Sequence, residues 1–443
     1  MNSLEQGGEE KFKIGGLGKN KILMVVAVIL IAVGAGIYSH WFTSDAYVRE
    51  GNELALKGKS AEAEKAYTKA IERDSQNVNA YLGRARVREK KIDEWKQNID
   101  DYNKVIELSP QNWEAYIGRA HIYCIYPVSQ GKYDQTKYKD AIEDCNKAIE
   151  INPKAWIAYY VRAEAYRHLK DYKNAMADCE QALKIEPQSA RAYEEIARIY
   201  ENQTLYKDAI TYYTKAIERA STKQYQDKLA FQEYASLIAN EGKKSILEWL
   251  YHYRGVCHAL LGERDAALKD ANRGGILAVY SCGEICYEEK KYLDAIFYFT
   301  KCIEYGKDEK KEQADASFVN KIFNSGKKNY YHVVMESSYA LLSKAYYAQG
   351  NIYYHESNYV GAIENYTKAI ESSPQNQDAY HNRACCYDAQ GEYAQAVADY
   401  TKAIELKPDY ALAYSNRGRT HQRLGNMAQA EADFAKANEL EGK

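Results

Sequence analysis

The side chains best suited to hold a metal or attack a carbonyl are thinly spread along this chain. Nine cysteines and nine histidines are scattered over 443 residues. Cys282 and Cys286 lie four apart, hence on one face of a helix, and could share a metal. No histidine and no second cysteine pair joins them at zinc-site spacing. Cys124, Cys145, Cys179, Cys257, Cys302, Cys385 and Cys386 include no CxxC pair and read as small buried hydrophobes. Single histidines such as His168 and His421 stand apart from other candidate catalysts. There is no glycine-rich phosphate loop, no Gly-x-Ser-x-Gly and no His-Glu-x-x-His. No catalysis, cofactor or metal is expected. With 60 basic and 62 acidic residues the net charge is −2, which argues against a global footprint for nucleic acid, and none is expected as a partner.

What the chain does contain is repetition. The phrase Tyr-Thr-Lys-Ala-Ile-Glu occurs at Tyr67–Glu72, Tyr213–Glu218, Tyr366–Glu371 and Tyr400–Glu405. The last two copies start 34 residues apart, and blurred copies stand at Asn146–Glu150, Gln181–Glu186 and Thr300–Glu304. Five of the six prolines (Pro110, Pro153, Pro187, Pro374, Pro408) follow such a phrase by a few residues. Proline lacks the N–H and clashes with the preceding turn, so each marks where a helix stops. A fixed period of this size is the mark of a stacked array, and such an array escapes the size limit on a single compact core.

Upstream of each phrase stands a large aromatic, a small residue four later and another large residue three after that. Tyr159, Ala163 and Tyr166 show it, as do Tyr193, Ala197 and Tyr200, and Tyr380, Ala384 and Tyr387. A turn follows, then a second helix with an alanine near its start, such as Ala175, Ala209, Ala362, Ala396 or Ala430. Both halves have helical spacing. With 43 tyrosines against 8 phenylalanines, most tyrosines read as the packing residues of this pattern.

These positions resemble the tetratricopeptide repeat, a helix–turn–helix unit of about 34 residues. The expected fold is all-α, a superhelical solenoid of such repeats preceded by one N-terminal transmembrane helix. Residues 1–20 read as a disordered cytoplasmic tail and 21–42 as the membrane helix. Residues 44–223 form a block of about five repeats, 224–247 a non-repeat helical insert, 248–309 two degenerate repeats, 310–342 a second insert and 343–443 a block of three repeats. The inserts leave no room for a catalytic domain.

The membrane segment is expected from Ile22 to Tyr38, within a stretch, Ile22–Ser44, that has no Asp, Glu, Lys or Arg. About 20 helical residues span a bilayer. Lys11, Lys13, Lys19 and Lys21 precede it and only Arg49 follows at similar distance, so the positive-inside rule puts the repeats outside the cytoplasm. The expected location is therefore a single-pass protein of a bacterial inner membrane with an extracytoplasmic array. A cleaved signal peptide giving a secreted protein, and the opposite orientation giving a cytosol-facing adaptor or co-chaperone, are the alternatives.

The resemblance implies a function in recognition. In this family the first helix of each unit lines a concave groove that binds partner proteins or peptides. By the family's register Lys344, Tyr347, Asn351, Tyr354, His381, Asn382, Asn416 and Arg419 should face it. The family's carboxylate clamp is matched only by Asn351 and Asn382; Tyr347, Leu412 and Asn416 stand where its cations would be. Arg191, Glu194, Glu195, Arg198 and Glu201 form a charged band that reads as a solvated helix face. Neither the partner's identity nor the oligomeric state is legible.

Overall fold

A computed structural model describes residues 43–89, 94–129, 135–222, 243–307 and 330–442. Among the described residues there are twenty α-helices and no strand. In chain order they are α1 (Ser44–Leu56), α2 (Ser60–Arg73), α3 (Val78–Arg88), α4 (Trp95–Leu108), α5 (Trp113–Ser129), α6 (Gln135–Ile151), α7 (Trp156–His168), α8 (Tyr172–Ile185), α9 (Ala190–Asn202) and α10 (Tyr206–Ala220). Then follow α11 (Lys243–Leu260), α12 (Arg264–Gly274), α13 (Ile276–Glu288), α14 (Tyr292–Gly306), α15 (Tyr330–His355), α16 (Tyr359–Ser372), α17 (Gln377–Ala389), α18 (Tyr393–Leu406), α19 (Ala411–Arg423) and α20 (Met427–Glu441). The chain is an all-α helical repeat solenoid. Packing divides it into two compact units, one ending at Asp171 and the other beginning at Tyr172.

In the first unit the phrase tyrosine Tyr67 lies against Gly51, where a Cβ would stand 2.6 Å from its ring. Only a residue without a side chain admits the ring there. The joint to the next pair is polar. Asn77 Oδ1 accepts from the Ala80 N–H at 3.1 Å, and Asn77 Nδ2 donates to Ser44 Oγ at 2.8 Å. Ser44 Oγ in turn donates to the Ala70 carbonyl at 2.8 Å. One asparagine thus caps a helix start and, through Ser44, a serine satisfies a carbonyl at the preceding helix end, where the backbone otherwise leaves groups unpaired. Tyr102, Tyr138, Ile117 and Val161 fill the core between pairs.

The second unit repeats both devices. Gly350 faces Tyr366 with the same clearance, 2.7 Å for a Cβ. Asn376 caps Ala379 and donates to Ser343, which donates to the Ala369 carbonyl. Turns between paired helices need one left-handed residue. Gly58, Gly262, Gly391 and Gly425 supply it at φ 74–82°. Lys170, Thr204, Lys290 and Ser357 take the same conformation at φ 60–62°.

A bidentate ion pair fastens first helix to second within a pair. Arg84 binds Asp101, Arg119 binds Asp144, Arg254 binds Asp270, Arg383 binds Asp399 and Arg417 binds Asp433. The third arm of the guanidinium donates to Thr68, Asn103, Thr214, Thr367 or Thr401, on the second helix of the preceding pair. The threonine of the repeated phrase is therefore an acceptor that ties consecutive pairs together.

α15 departs from the pattern. It is 26 residues long and runs without interruption from the stretch read as an insert into the next pair. Val334, Ser338 and Leu342 recur every four residues and are buried, Ser338 Oγ donating to the Val334 carbonyl at 2.7 Å and standing 3.3 Å from Cys302 Sγ.

The expectation of a single-pass membrane protein is corrected. Among the described residues no helix is long and apolar enough to cross a membrane. The stretches 1–20 and 21–42, and with them Ile22–Tyr38, lie outside the described residues, as do most of 224–247 and of 310–342.

Candidate functional site

Three first helices of the second unit, α15, α17 and α19, carry all eight residues of the expected groove. Lys344, Tyr347, Asn351 and Tyr354 follow one another at three- and four-residue steps on α15, so they share a face. His381 and Asn382 lie on α17, Asn416 and Arg419 on α19.

Five of the eight are joined by hydrogen bonds. Asn382 Nδ2 donates to the Tyr347 hydroxyl at 3.1 Å and to Asn351 Oδ1 at 2.9 Å. Asn416 Nδ2 donates to His381 Nε2 at 3.1 Å. With Nε2 accepting, Nδ1 carries the proton and donates to Asn382 Oδ1 at 3.0 Å. The bonds thus join Tyr347 and Asn351 to Asn382, Asn382 to His381 and His381 to Asn416, across three helices. His381 is buried, and its pKa is lowered by that burial, with Asn382 and Asp378 pulling the other way. A neutral imidazole with one donor and one acceptor fits the two asparagines.

Lys344, Tyr354 and Arg419 are not part of this chain. Lys344 and Arg419 are exposed, and Tyr354 is half-buried with its ring 5.8 Å from that of Tyr359.

Sequence reasoning missed several members of the neighbourhood. The Tyr366 hydroxyl donates to Asn351 Oδ1 at 2.7 Å and the Tyr400 hydroxyl lies 3.3 Å from Cys385 Sγ. Cys385 also lies 3.8 Å from Asn416 Nδ2. Tyr410 donates to Asp378 at 3.0 Å, and Asp388 accepts from Thr420 and Arg423. A signal was available. Tyr67, Tyr366 and Tyr400 each reach a side chain fifteen residues earlier, Asn52, Asn351 and Cys385. The phrase tyrosine is a hydrogen-bond donor to the first helix as well as a packing residue.

The charged band of α9 is not a solvated face. Glu194 and Glu195 are 3% and 1% exposed. Glu194 takes Arg191 at 2.9 Å and Arg198 at 3.0 Å, Tyr213 donates to Glu201, and the Arg198 guanidinium lies 4.7 Å from the Tyr253 ring centre. The i, i+3 and i, i+4 pairs expected from spacing are present, but Tyr213 and Tyr253 bring a neighbouring wall over them.

Cys282 and Cys286 are fully buried, and burial pushes the Cys286 thiol up to about 12 and the Cys282 thiol up as well. Among the described residues no three His, Cys, Asp or Glu side chains gather to hold a metal ion.

Models described as tetratricopeptide or TPR repeat match residues 48–113, 156–189, 190–223, 343–376, 365–398, 386–425 and 411–443. No curated protein matches the chain. Among solved structures, a tetratricopeptide repeat protein from Parabacteroides merdae is 15% identical at TM-score 0.41, covering 67% of this chain and 98% of its own. A thermophilic TPR protein of Thermus thermophilus is 18% identical at TM-score 0.37, covering 44% and 100%. A MamA protein is 25% identical at TM-score 0.32, covering 43% and 95%. Such repeats in general serve as scaffolds for protein interaction and are in general not catalytic. The chain belongs to the tetratricopeptide-repeat family.

Proposed function

We propose that this chain is a scaffold that holds partner proteins or peptides on the faces of its first helices, with the face of α15, α17 and α19 as a docking surface. The observation that carries the reading is the run of hydrogen bonds from Tyr347 and Asn351, both held by Asn382, through His381 to Asn416. It holds polar groups of three successive units in one arrangement, so a ligand meets them without first paying to order them. Lys344, Tyr354 and Arg419 flank this run. The array is taken to divide into repeat blocks 44–223, 248–309 and 343–443, with 224–247 and 310–342 as inserts.

A photo-crosslinking side chain tests the reading. Placed at Tyr354 in the full chain, a p-azidophenylalanine should capture a partner protein in cells that produce this chain. The same group at Lys402, exposed on α18, should not. Capture from Lys402 and none from Tyr354 would move the docking surface off the first helices.

A further inference from the structure

The groups of this face that are already bonded, and those that are not, differ in kind. Both lone pairs of Asn351 Oδ1 are engaged, by Tyr366 and Asn382, while its Nδ2 donates to nothing among the described residues. The Tyr347 hydroxyl accepts from Asn382 and keeps its own proton to give. Lys344 and Arg419 are exposed and pair with no carboxylate among the described residues. The carboxylates of α17 are engaged: Asp378 by the Tyr410 hydroxyl, which leaves its charge in place, and Asp388 by Thr420 and Arg423. On the acceptor side Asn416 Oδ1 takes no hydrogen bond among the described residues, so the unspent capacity is mostly donor, and the two unpaired cations make its net charge positive.

The two cations bracket the bonded run. Lys344 stands one turn before Tyr347 on α15, and Arg419 one turn after Asn416 on α19. Helices packed at roughly 8–10 Å put α15 and α19 about 20 Å apart, with α17 between them. Lys344 is the second residue of its pair and Arg419 the ninth of its own, a further offset of roughly 10 Å along the helices. The diagonal, about 22 Å, is the length of six or seven residues of extended chain at about 3.3 Å each.

We infer that this face takes an extended internal segment of an acidic protein, with two carboxylate side chains six residues apart, an even spacing that puts both on one side of the segment, against Lys344 and Arg419 and main-chain carbonyls on Asn351 and Tyr347. The inference rests on the reading of the face as a docking surface and adds the chemistry of the occupant. The charges engage side chains along a segment, so a free chain end is not needed.

The experiment uses the full chain. It is panned against displayed 12-residue segments flanked by constant sequence, so that no free carboxyl terminus is offered. Enriched segments should carry two Asp or Glu six apart. An amidated synthetic peptide of that pattern should bind at least tenfold more tightly than its Gln counterpart and weaken as salt rises. Lys344→Glu with Arg419→Glu, both at exposed positions, should abolish the preference for Glu. Enriched segments that are basic or apolar, that crosslink from p-azidophenylalanine at Tyr354 and that ignore the double charge reversal would overturn the acidic assignment alone. Segments that crosslink from Lys402 and not from Tyr354 would overturn the docking surface with it.

Discussion

The Arg383 guanidinium grips both carboxylate oxygens of Asp399, at 2.7 and 2.9 Å, across sixteen residues of sequence. Its remaining arm reaches Thr367 at 2.9 Å. At the corresponding place in α13 and α14 stand Cys282 and Tyr298, also sixteen apart and both fully buried. One joint is ionic and the other uncharged in the same backbone frame. Arg383→Ala strands a buried carboxylate and should cost about 3–5 kcal/mol locally. The double change Arg383→Cys with Asp399→Tyr should cost less than Arg383→Ala alone. Hydrogen exchange of α17 and α18 in the full chain reads both; a double change costing as much as the sum of the two singles would show that the frame does not accept the uncharged pair.

The left-handed turns offer a stabilising change. Lys290 and Ser357 both sit at φ 60° where other pairs use glycine. A side chain there costs roughly 1–2 kcal/mol, and glycine gives back about 0.5–1 kcal/mol through the freer unfolded chain. Lys290→Gly and Ser357→Gly should each gain about 0.5 kcal/mol, seen as slower exchange in the flanking helices. Gly391→Ala, at φ 82° with open space around it, should lose about 0.5 kcal/mol by the same balance run in reverse.

Acid should loosen α11. Burial, and then the Arg198 cation, hold the His252 imidazole down to about 4. An unfolded imidazole titrates near 6.5. As pH falls the unfolded state takes the proton first, so the contribution is intact above about 6.5 and drains between 6.5 and 4. His252→Phe keeps a ring beside Trp249 and Tyr253, 5.6 and 5.2 Å away. The difference in stability between variant and parent should therefore shift in favour of the variant from pH 7 to pH 4.5. A constant difference over that range would assign the acid loss to carboxylates elsewhere.

Thiol labelling should sort the cysteines by place. Eight are buried and Cys385 alone is half-buried. Burial pushes Cys302 up to about 11 and Cys386 up to about 12. At pH 8 the reactive thiolate is then scarce at both. Iodoacetamide followed by mass spectrometry should modify Cys385 first and Cys302 only when α14 opens. Rapid modification of Cys302 would mean that the core around Ser338 is loose.

Much of the fold was readable because repetition averages out local ambiguity. The prolines, the phrase and the small residues at fixed offsets all report one helix pair, and Gly51 and Gly350 do meet the phrase tyrosines of their own pairs. Less was readable where a residue's partner lies on a neighbouring pair. Glu194 looked like a solvated group because its own helix shows only charged neighbours; the wall that covers it comes from other helices. Asn351, Asn382 and Asn416 could be placed on first helices by register, but register does not say that His381 sits between two of them. The stretch 330–342 matched no repeat, and its own period, Val334, Ser338 and Leu342, is what makes it helical.

An unbroken α15 has a mechanical consequence. Its early turns are wedged beside Cys302 and its later turns present Lys344, Tyr347 and Asn351. Adding a single amino acid between Leu342 and Lys344 would rotate one end against the other by about 100°. Either the wedge would be pulled out or the presented row would swing aside. The spacing across this rod is therefore fixed to the residue, and a shuffled or spliced variant could keep every side chain and still lose the alignment.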